Sequence, residues 1–339
     1  MKNGRIGVCL IGAGRAGMIH ANNFKNKVNG AYMAAVVDVV EDAAKAAAKE
    51  LEITKYYTDY KEVLKDDEID AVVVVSPTNL HKDIVIDCAR AGKHIFCEKP
   101  MAMNSQECEE MEAAAKENNV KLQIGFMRRH DASFIQAKEV IDSGVIGDVV
   151  LIRSNTRGPS KPRPWMYDIK KSNGVLAELN SHDIDCVRWL AGSEIKSVYA
   201  IAGNYRNREV AEEYPDYYDS VVMTGVFENG IQYSIDGAAY VQYGYDAKVE
   251  VVGTKGVIHI GKENGSNYTV AAPQSGISTP YINSWMTLFK DAYLAEDIGF
   301  AECILNDTDP KVTGHDGKMA VKIVEIGNQS IAEKRIIEL

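Results

Sequence analysis

The sequence predicts an α/β protein. An N-terminal Rossmann-type, doubly wound parallel sheet is followed by an α+β domain on an open, mostly antiparallel sheet. Three observations carry this. An apolar run over residues 6–11 ends in Gly12-x-Gly14-x-x-Gly17, and a helical pattern follows through Met18, Ile19, Ala21 and Phe24. As far as residue 124, short β-branched runs alternate with helical ones, the pattern of a parallel sheet. Beyond it strand patterns dominate, and Asn229-Gly230 marks a tight hairpin turn.

In the first strand–turn–helix, Gly12 supplies the tight turn. Gly14 lets a pyrophosphate approach the backbone, and Gly17 lets the helix pack close to the strand. The helix start, at Arg15 and Ala16, offers N–H groups and a positive dipole end to that anion. Residues 32–37 read as the second strand, ending in Asp38. A carboxylate there accepts both ribose hydroxyls of an adenosine and repels a 2′-phosphate. Neither Val39 nor Val40 supplies a guanidinium to hold one, so the expected cofactor is NAD and not NADP.

Glu41–Leu51, rich in alanine and charge, reads as a helix, and residues 59–64 as a shorter one. The Ala-Val-Val-Val-Val run within residues 70–76 suits a central strand buried on both faces. It ends in Ser76-Pro77-Thr78-Asn79, a turn and the start of a helix over residues 80–91 that includes His81. His94–Cys97 is the next strand and ends in Glu98-Lys99-Pro100; Ser105 can cap a helix running to Asn118; residues 120–124 form one more strand. Ligands of open α/β sheets bind at the C-terminal strand edge. This makes Ser76, Pro77, Asn79, His81, Glu98 and Lys99 candidate cofactor contacts.

The expected boundary separates residues 1–124, the NAD-binding domain, from residues 125–339, a substrate-binding and oligomerisation domain. After a helix at residues 132–143, strands are expected at residues 149–156, 195–202, 220–228, 231–238, 248–252 and 257–260, covered by a helix at residues 179–190. Two late helices, residues 283–305 and 314–332, close the chain, and the last can pack back on the first domain. The loop of residues 158–171, rich in proline and lysine, is the expected mobile segment.

The 339 residues carry a formal net charge of −10, which argues against nucleic acid or an anionic membrane as partner. No apolar run approaches the roughly 18 residues of a membrane span, and because the N-terminus leads straight into the first strand, no signal peptide is expected. The six scattered cysteines suit a reducing cytosol better than a disulfide framework.

Lys99, at a parallel-strand end, can hydrogen-bond a substrate hydroxyl and favour its alkoxide, although lysine is most often a solvated surface group. In Glu178-x-x-x-His182-Asp183, a continuous helix puts Glu178 and His182 on one face, where the carboxylate can orient an imidazole base. A structural capping network is the other reading. No second histidine stands at metal-ligand spacing near this cluster, so no metal is expected. Arg128 and Arg129 can meet cofactor or substrate oxygens, or equally hold carboxylates between domains. Asn155 is a further candidate substrate contact. Tyr243, one of three tyrosines in residues 240–246, suits a sugar ring, though strand aromatics are more often core. Trp165 is either a sugar-stacking lid or a loop anchor.

At Gly12-Ala13-Gly14-Arg15-Ala16-Gly17, Glu98-Lys99-Pro100, Gly125-Phe126-Met127-Arg128-Arg129, His182-Asp183-Ile184-Asp185 and Tyr243-Gly244-Tyr245-Asp246 followed by Glu250-Val251-Val252-Gly253, the chain resembles the Gfo/Idh/MocA oxidoreductases over nearly its whole length. The Phe-Met-Arg-Arg and Tyr-Gly-Tyr-Asp runs are most similar to the inositol 2-dehydrogenase branch. The resemblance implies oxidation or reduction of a sugar or polyol carbon with NAD(P). It implies Lys99 and His182 as the catalytic pair, and a homo-oligomer, often a tetramer joined through the antiparallel sheet. Glu178 stands where the family usually has aspartate, and Asn180 and Ser181 are more polar than the inositol branch usually shows. The expected activity is oxidation of a secondary alcohol of a polyol or sugar. The alternatives are oxidation at C3 of a glycoside and a non-catalytic NAD-binding regulator.

Overall fold

A computed structural model describes residues 1, 4–261, 270–272, 276–278 and 280–339. The chain divides into two compact units, Met1–His130 with Asp291–Val321, and Asp131–Lys290 with Lys322–Leu339.

The first unit is built on a six-stranded, wholly parallel sheet. Its strands are β1 (Ile6–Ile11), β2 (Ala31–Val37), β3 (Tyr56–Tyr57), β4 (Ala71–Val74), β5 (His94–Cys97) and β6 (Leu122–Ile124), in the order β3-β2-β1-β4-β5-β6. Helices α1 (Arg15–Asn26), α2 (Glu41–Leu51), α3 (His81–Arg90) and α4 (Ser105–Glu117) make the crossovers. The strand order reverses between β1 and β4, where dinucleotide folds bind their ligand. The β-branched run reads as it packs: β4 is buried at every position, and Val8, Leu10, Val36, Val73 and Phe96 form one core with Phe24, Leu51 and Phe300.

The second unit holds α5 (Ala132–Asp142), β7 (Val149–Gly158), α6 (Ile169–Ser172), α7 (Gly174–Glu178), α8 (Ser181–Ala191), β8 (Ile195–Gly203), β9 (Ser220–Phe227), β10 (Gln232–Ala239), β11 (Asp246–Gly253), β12 (Val257–Ile260), the small pair β13 (Val270–Ala272) and β14 (Gly276–Ser278), and α9 (Trp285–Leu288). Helix α10 (Lys290–Leu305), helix α11 (Gly314–Glu333) and β15 (Ile337–Glu338) complete the chain. The main sheet runs β12-β11-β7-β10-β9-β8-β15. It is antiparallel except between β7 and β10. β9 and β10 pair across the Asn229-Gly230 turn, where Gly230 has φ +87°. α8 packs on β7 and β10.

Four local expectations are corrected. The cap of α4 is Asn104, one residue before Ser105: its side chain accepts the Glu107 N–H, and Glu107 reaches back to Met103 N. Residues 60–65 form a 3₁₀ helix, with Asp59 as its cap. The late helix splits at Phe289, whose buried ring packs on Phe134. The helix at residues 179–190 begins at Ser181 and follows a separate α7.

Among the described residues, no helix is long and apolar enough to cross a membrane, and all six cysteines are free and buried. In the first unit, burial, with Lys311 and Arg129 adding to it, lowers His130 to about 4. Unfolded, the same ring titrates near about 6.5. The unfolded chain therefore takes up the proton first as pH falls. Stability is expected to drop between those two values, by roughly 3 kcal/mol from this residue. Thermal melting across that range checks it: His130→Gln should melt with a shallower acid slope, and an unchanged slope would contradict the assignment.

Candidate active site

In the first unit the nucleotide-binding edge is assembled by the backbone. Gly12 has φ +104°, and a Cβ there would lie 2.5 Å from Val75 O. A Cβ on Gly17 would lie 2.1 Å from Gly12 O and 3.1 Å from Leu10 Cδ1, so α1 can approach β1 only with glycine there. Gly14 faces open space, with nothing within 4 Å of a Cβ. It caps α1 with no side-chain bond to the first turn, and Arg15 is exposed. Asp38, just past β2, is turned onto this loop: Oδ2 accepts Ala13 N–H at 2.9 Å and Oδ1 accepts Val40 N–H at 2.9 Å.

Beyond β4, the Ser76 Oγ is a buried polar atom with no hydrogen-bond partner, while Pro77 and Asn79 are exposed. His81 is buried, with Nε2 2.8 Å from Ser76 O and Nδ1 2.9 Å from Pro100 O. It clips the turn after β4 to the turn after β5. Its ring is taken up by carbonyls. Lys99 follows Glu98 at the end of β5 and is half-buried. Arg128 is only 1% exposed. Arg129 donates to Asp316 Oδ1 at 2.8 Å, and the other oxygen of that carboxylate takes the Thr313 N–H and hydroxyl. Of the alternatives open to Arg129, the structure thus shows a carboxylate partner within its own unit.

In the second unit His182 sits in the first turn of α8 and is 7% exposed. The turn is locked by its neighbour. Asp183, fully buried, accepts from Ser154 Oγ on β7 and from Asn180 Nδ2 at 2.8 Å, and that same Asn180 amide reaches Asp236 O on β10. These bonds explain the break before α8: the N–H groups of both Leu179 and Asn180 turn back to Val175 O. Glu178 is therefore the last residue of α7, on a different helix from His182. Helical spacing does not relate the two.

Strand alternation separates the other candidates. Ser154 and Thr156 are buried on the α8 side, so Asn155 points to the opposite face of β7. There it is in register with Asp236 and Lys248. Nearby, Arg157 makes a two-pronged pair with Asp236, and Tyr243 OH lies 3.3 Å from Asp246 Oδ2. Asn155 and His182 do not share a face. Trp165 is 36% exposed on a 3₁₀ turn anchored by the buried ring of Tyr167, which packs edge-on against Tyr217. Among the described residues, no cluster of histidine, cysteine or carboxylates could hold a metal.

The first-unit residues fit NAD. The Gly14 surface is open, the start of α1 lacks a side-chain cap, Asp38 faces the glycine turn, and the buried Ser76 hydroxyl lacks a partner. Asp38→Ala is expected to weaken NAD binding about tenfold and to narrow its preference over NADP. Titration of both cofactors by fluorescence quenching reads this, and an unchanged ratio would contradict the role of Asp38.

Comparison with known proteins agrees. Residues 6–126 match the Gfo/Idh/MocA oxidoreductase family model for the NAD-binding Rossmann fold, and residues 138–339 match the model for its C-terminal alpha/beta domain. The chain is 35% identical over 335 residues to a myo-inositol 2-dehydrogenase of Thermotoga maritima, covering 99% of this chain and 98% of that one. It is 36% identical over 314 residues to a scyllo-inositol 2-dehydrogenase (NAD(+)) of Bacillus subtilis, covering 93% and 90%. Among solved structures it is similar to scyllo-inositol dehydrogenase from Lactobacillus casei with bound NAD(H) and scyllo-inositol, with a TM-score of 0.90, 29% identity, and 98% and 99% coverage. The chain belongs to the Gfo/Idh/MocA oxidoreductase family and is an NAD-dependent dehydrogenase acting on CH–OH groups.

Proposed function

We propose that the enzyme oxidises a secondary alcohol of an inositol or a closely related polyol to the ketone. The observation that carries this is the presence of both Lys99, at the strand edge that fits NAD, and His182, on the locked first turn of α8, in a chain with two near-full-length relatives named inositol 2-dehydrogenases. Bound NAD supplies the hydride acceptor. The residues supply the rest. His182 takes the hydroxyl proton, and Glu178 orients its ring from the end of α7. Lys99 donates to the substrate oxygen and stabilises the negative charge that develops as the proton leaves. The side chain of Trp165, exposed above an anchored turn, contacts the ring of the substrate.

NAD reduction across a panel of inositol isomers, free aldoses and glycosides tests the substrate class. The highest kcat/KM is expected with an inositol. A strong preference for glycosides with a bulky aglycone would move the assignment to glycoside oxidation at C3. Tight NAD binding with no reduction by any member would favour a regulator.

A further inference from the structure

Glu98, the residue before Lys99, is 6% exposed and points back into the first unit. Its Oε2 accepts the backbone N–H of Lys99 at 2.9 Å, and its Oε1 lies 3.2 Å from His20 Nε2. Gly125 leaves the room for this carboxylate: a Cβ there would stand 2.9 Å from Glu98 Cδ. His20 belongs to α1, the helix that starts at the glycine turn, and has no exposed surface. Its Nδ1 lies 2.7 Å from Oδ1 of Asp297 on α10, whose Oδ2 accepts from Asn23 at 2.8 Å. The rings of Phe96 and Tyr293 close around the imidazole at 4.8 and 5.4 Å between centroids.

Both ring nitrogens of His20 face carboxylates. Ionised carboxylates only accept, so the imidazole satisfies both contacts only when both nitrogens carry a proton. Burial pushes the ring toward neutrality, but Asp297 and Glu98 outweigh it and hold His20 well above the usual histidine range. A buried carboxylate without such a partner is strongly disfavoured. The result is one chain of contacts: Asp297, the imidazolium, Glu98 and the peptide of Lys99.

We propose that His20 is a positioning residue for the dehydrogenase reaction, a buried imidazolium that acts through Glu98 to fix the peptide carrying Lys99 and ties it to the cofactor-binding helix. This rests on the reading of Lys99 as the group that stabilises the substrate oxygen. Among the described residues, the charged and titratable groups facing His20 are Glu98 from the end of β5, Asp297 from α10 and the phenol ring of Tyr293, also from α10.

The test compares full-length wild type, His20→Gln, Asp297→Asn and Lys99→Ala, with NAD affinity by titration and folding by thermal melting. His20→Gln is expected to lower kcat about ten- to hundredfold, with KM and NAD affinity changed by less than about threefold. Asp297→Asn removes the carboxylate that keeps the second proton on His20. Its kcat should acquire a fall on the alkaline side that reverses on acidification and that wild type lacks. If His20→Gln does not fold, the isosteric Asp297→Asn carries the test. Wild-type kcat and an unchanged pH profile in the folded variants would overturn the proposal. So would a loss confined to NAD affinity, which would make His20 a prop of α1 alone. Lys99→Ala separates the two readings: wild-type turnover there sinks the assignment of Lys99 itself, whereas an inactive Lys99→Ala beside fully active His20 and Asp297 variants sinks only the positioning role.

Discussion

Lys99→Ala is expected to lower kcat by about 10²–10³-fold, the usual cost of removing one donor aimed at a developing oxyanion. The position explains the size. Lys99 lies just past the end of β5, at the sheet edge where Gly14, Asp38 and Ser76 form the surface that fits NAD. A cation there acts on the substrate oxygen mainly while charge develops on it, so kcat should fall more than KM rises. NAD affinity should fall far less than kcat, because the glycine turn and Asp38 are unaltered. Lys99→Arg is not a conservative test, since a planar fork replaces a point charge. It should recover only part of the activity. Stopped-flow reduction of NAD by an inositol reads the chemical step directly, and wild-type rates in Lys99→Ala would remove Lys99 from the mechanism.

His182→Ala is expected to cost about 10²–10⁴-fold in kcat, the span usual for a positioned general base. Steady-state turnover with an inositol reads this, and wild-type kcat in His182→Ala would remove His182 from the chemistry. The lock on its helix turn makes a second, smaller effect. Asn180→Ala leaves Asp183 short of one of its partners and frees the turn that carries His182. A kcat reduced by less than in His182→Ala would place Asn180 behind His182 and outside the chemistry.

Much of the first unit was legible because its elements are made by neighbours in the chain. The strand, the glycine turn and the helix lie within one short stretch. Gly12, Gly14 and Gly17 each meet in space what their spacing implied: a turn at positive φ, an open surface and a close helix. The β-branched run of β4 could be placed because only a strand covered on both faces needs it. Residues tied to distant parts of the chain were hidden. The break between α7 and α8 is set by Asn180 bonding to Asp236 O, 56 residues away. No local pattern announces it, so Glu178 and His182 looked like neighbours on one helix. Strand alternation could have separated Asn155 from the α8 side, but only once Ser154 was known to meet Asp183. His20 was missed for the same reason, its two carboxylate partners lying 78 and 277 residues on. One signal was present: it sits four residues before Phe24, in the apolar stripe of α1 with Gly17 and Ala21, where a polar residue needs a buried partner.

The most direct measurement is single-turnover reduction of enzyme-bound NAD by an inositol deuterated at its ring carbons, with the cofactor recovered and weighed by mass spectrometry. Oxidation of a substrate CH–OH predicts that the reduced nicotinamide carries one deuterium and that an inosose appears in equal amount. Bound NAD that stays oxidised, or reduced cofactor without the label, would contradict it.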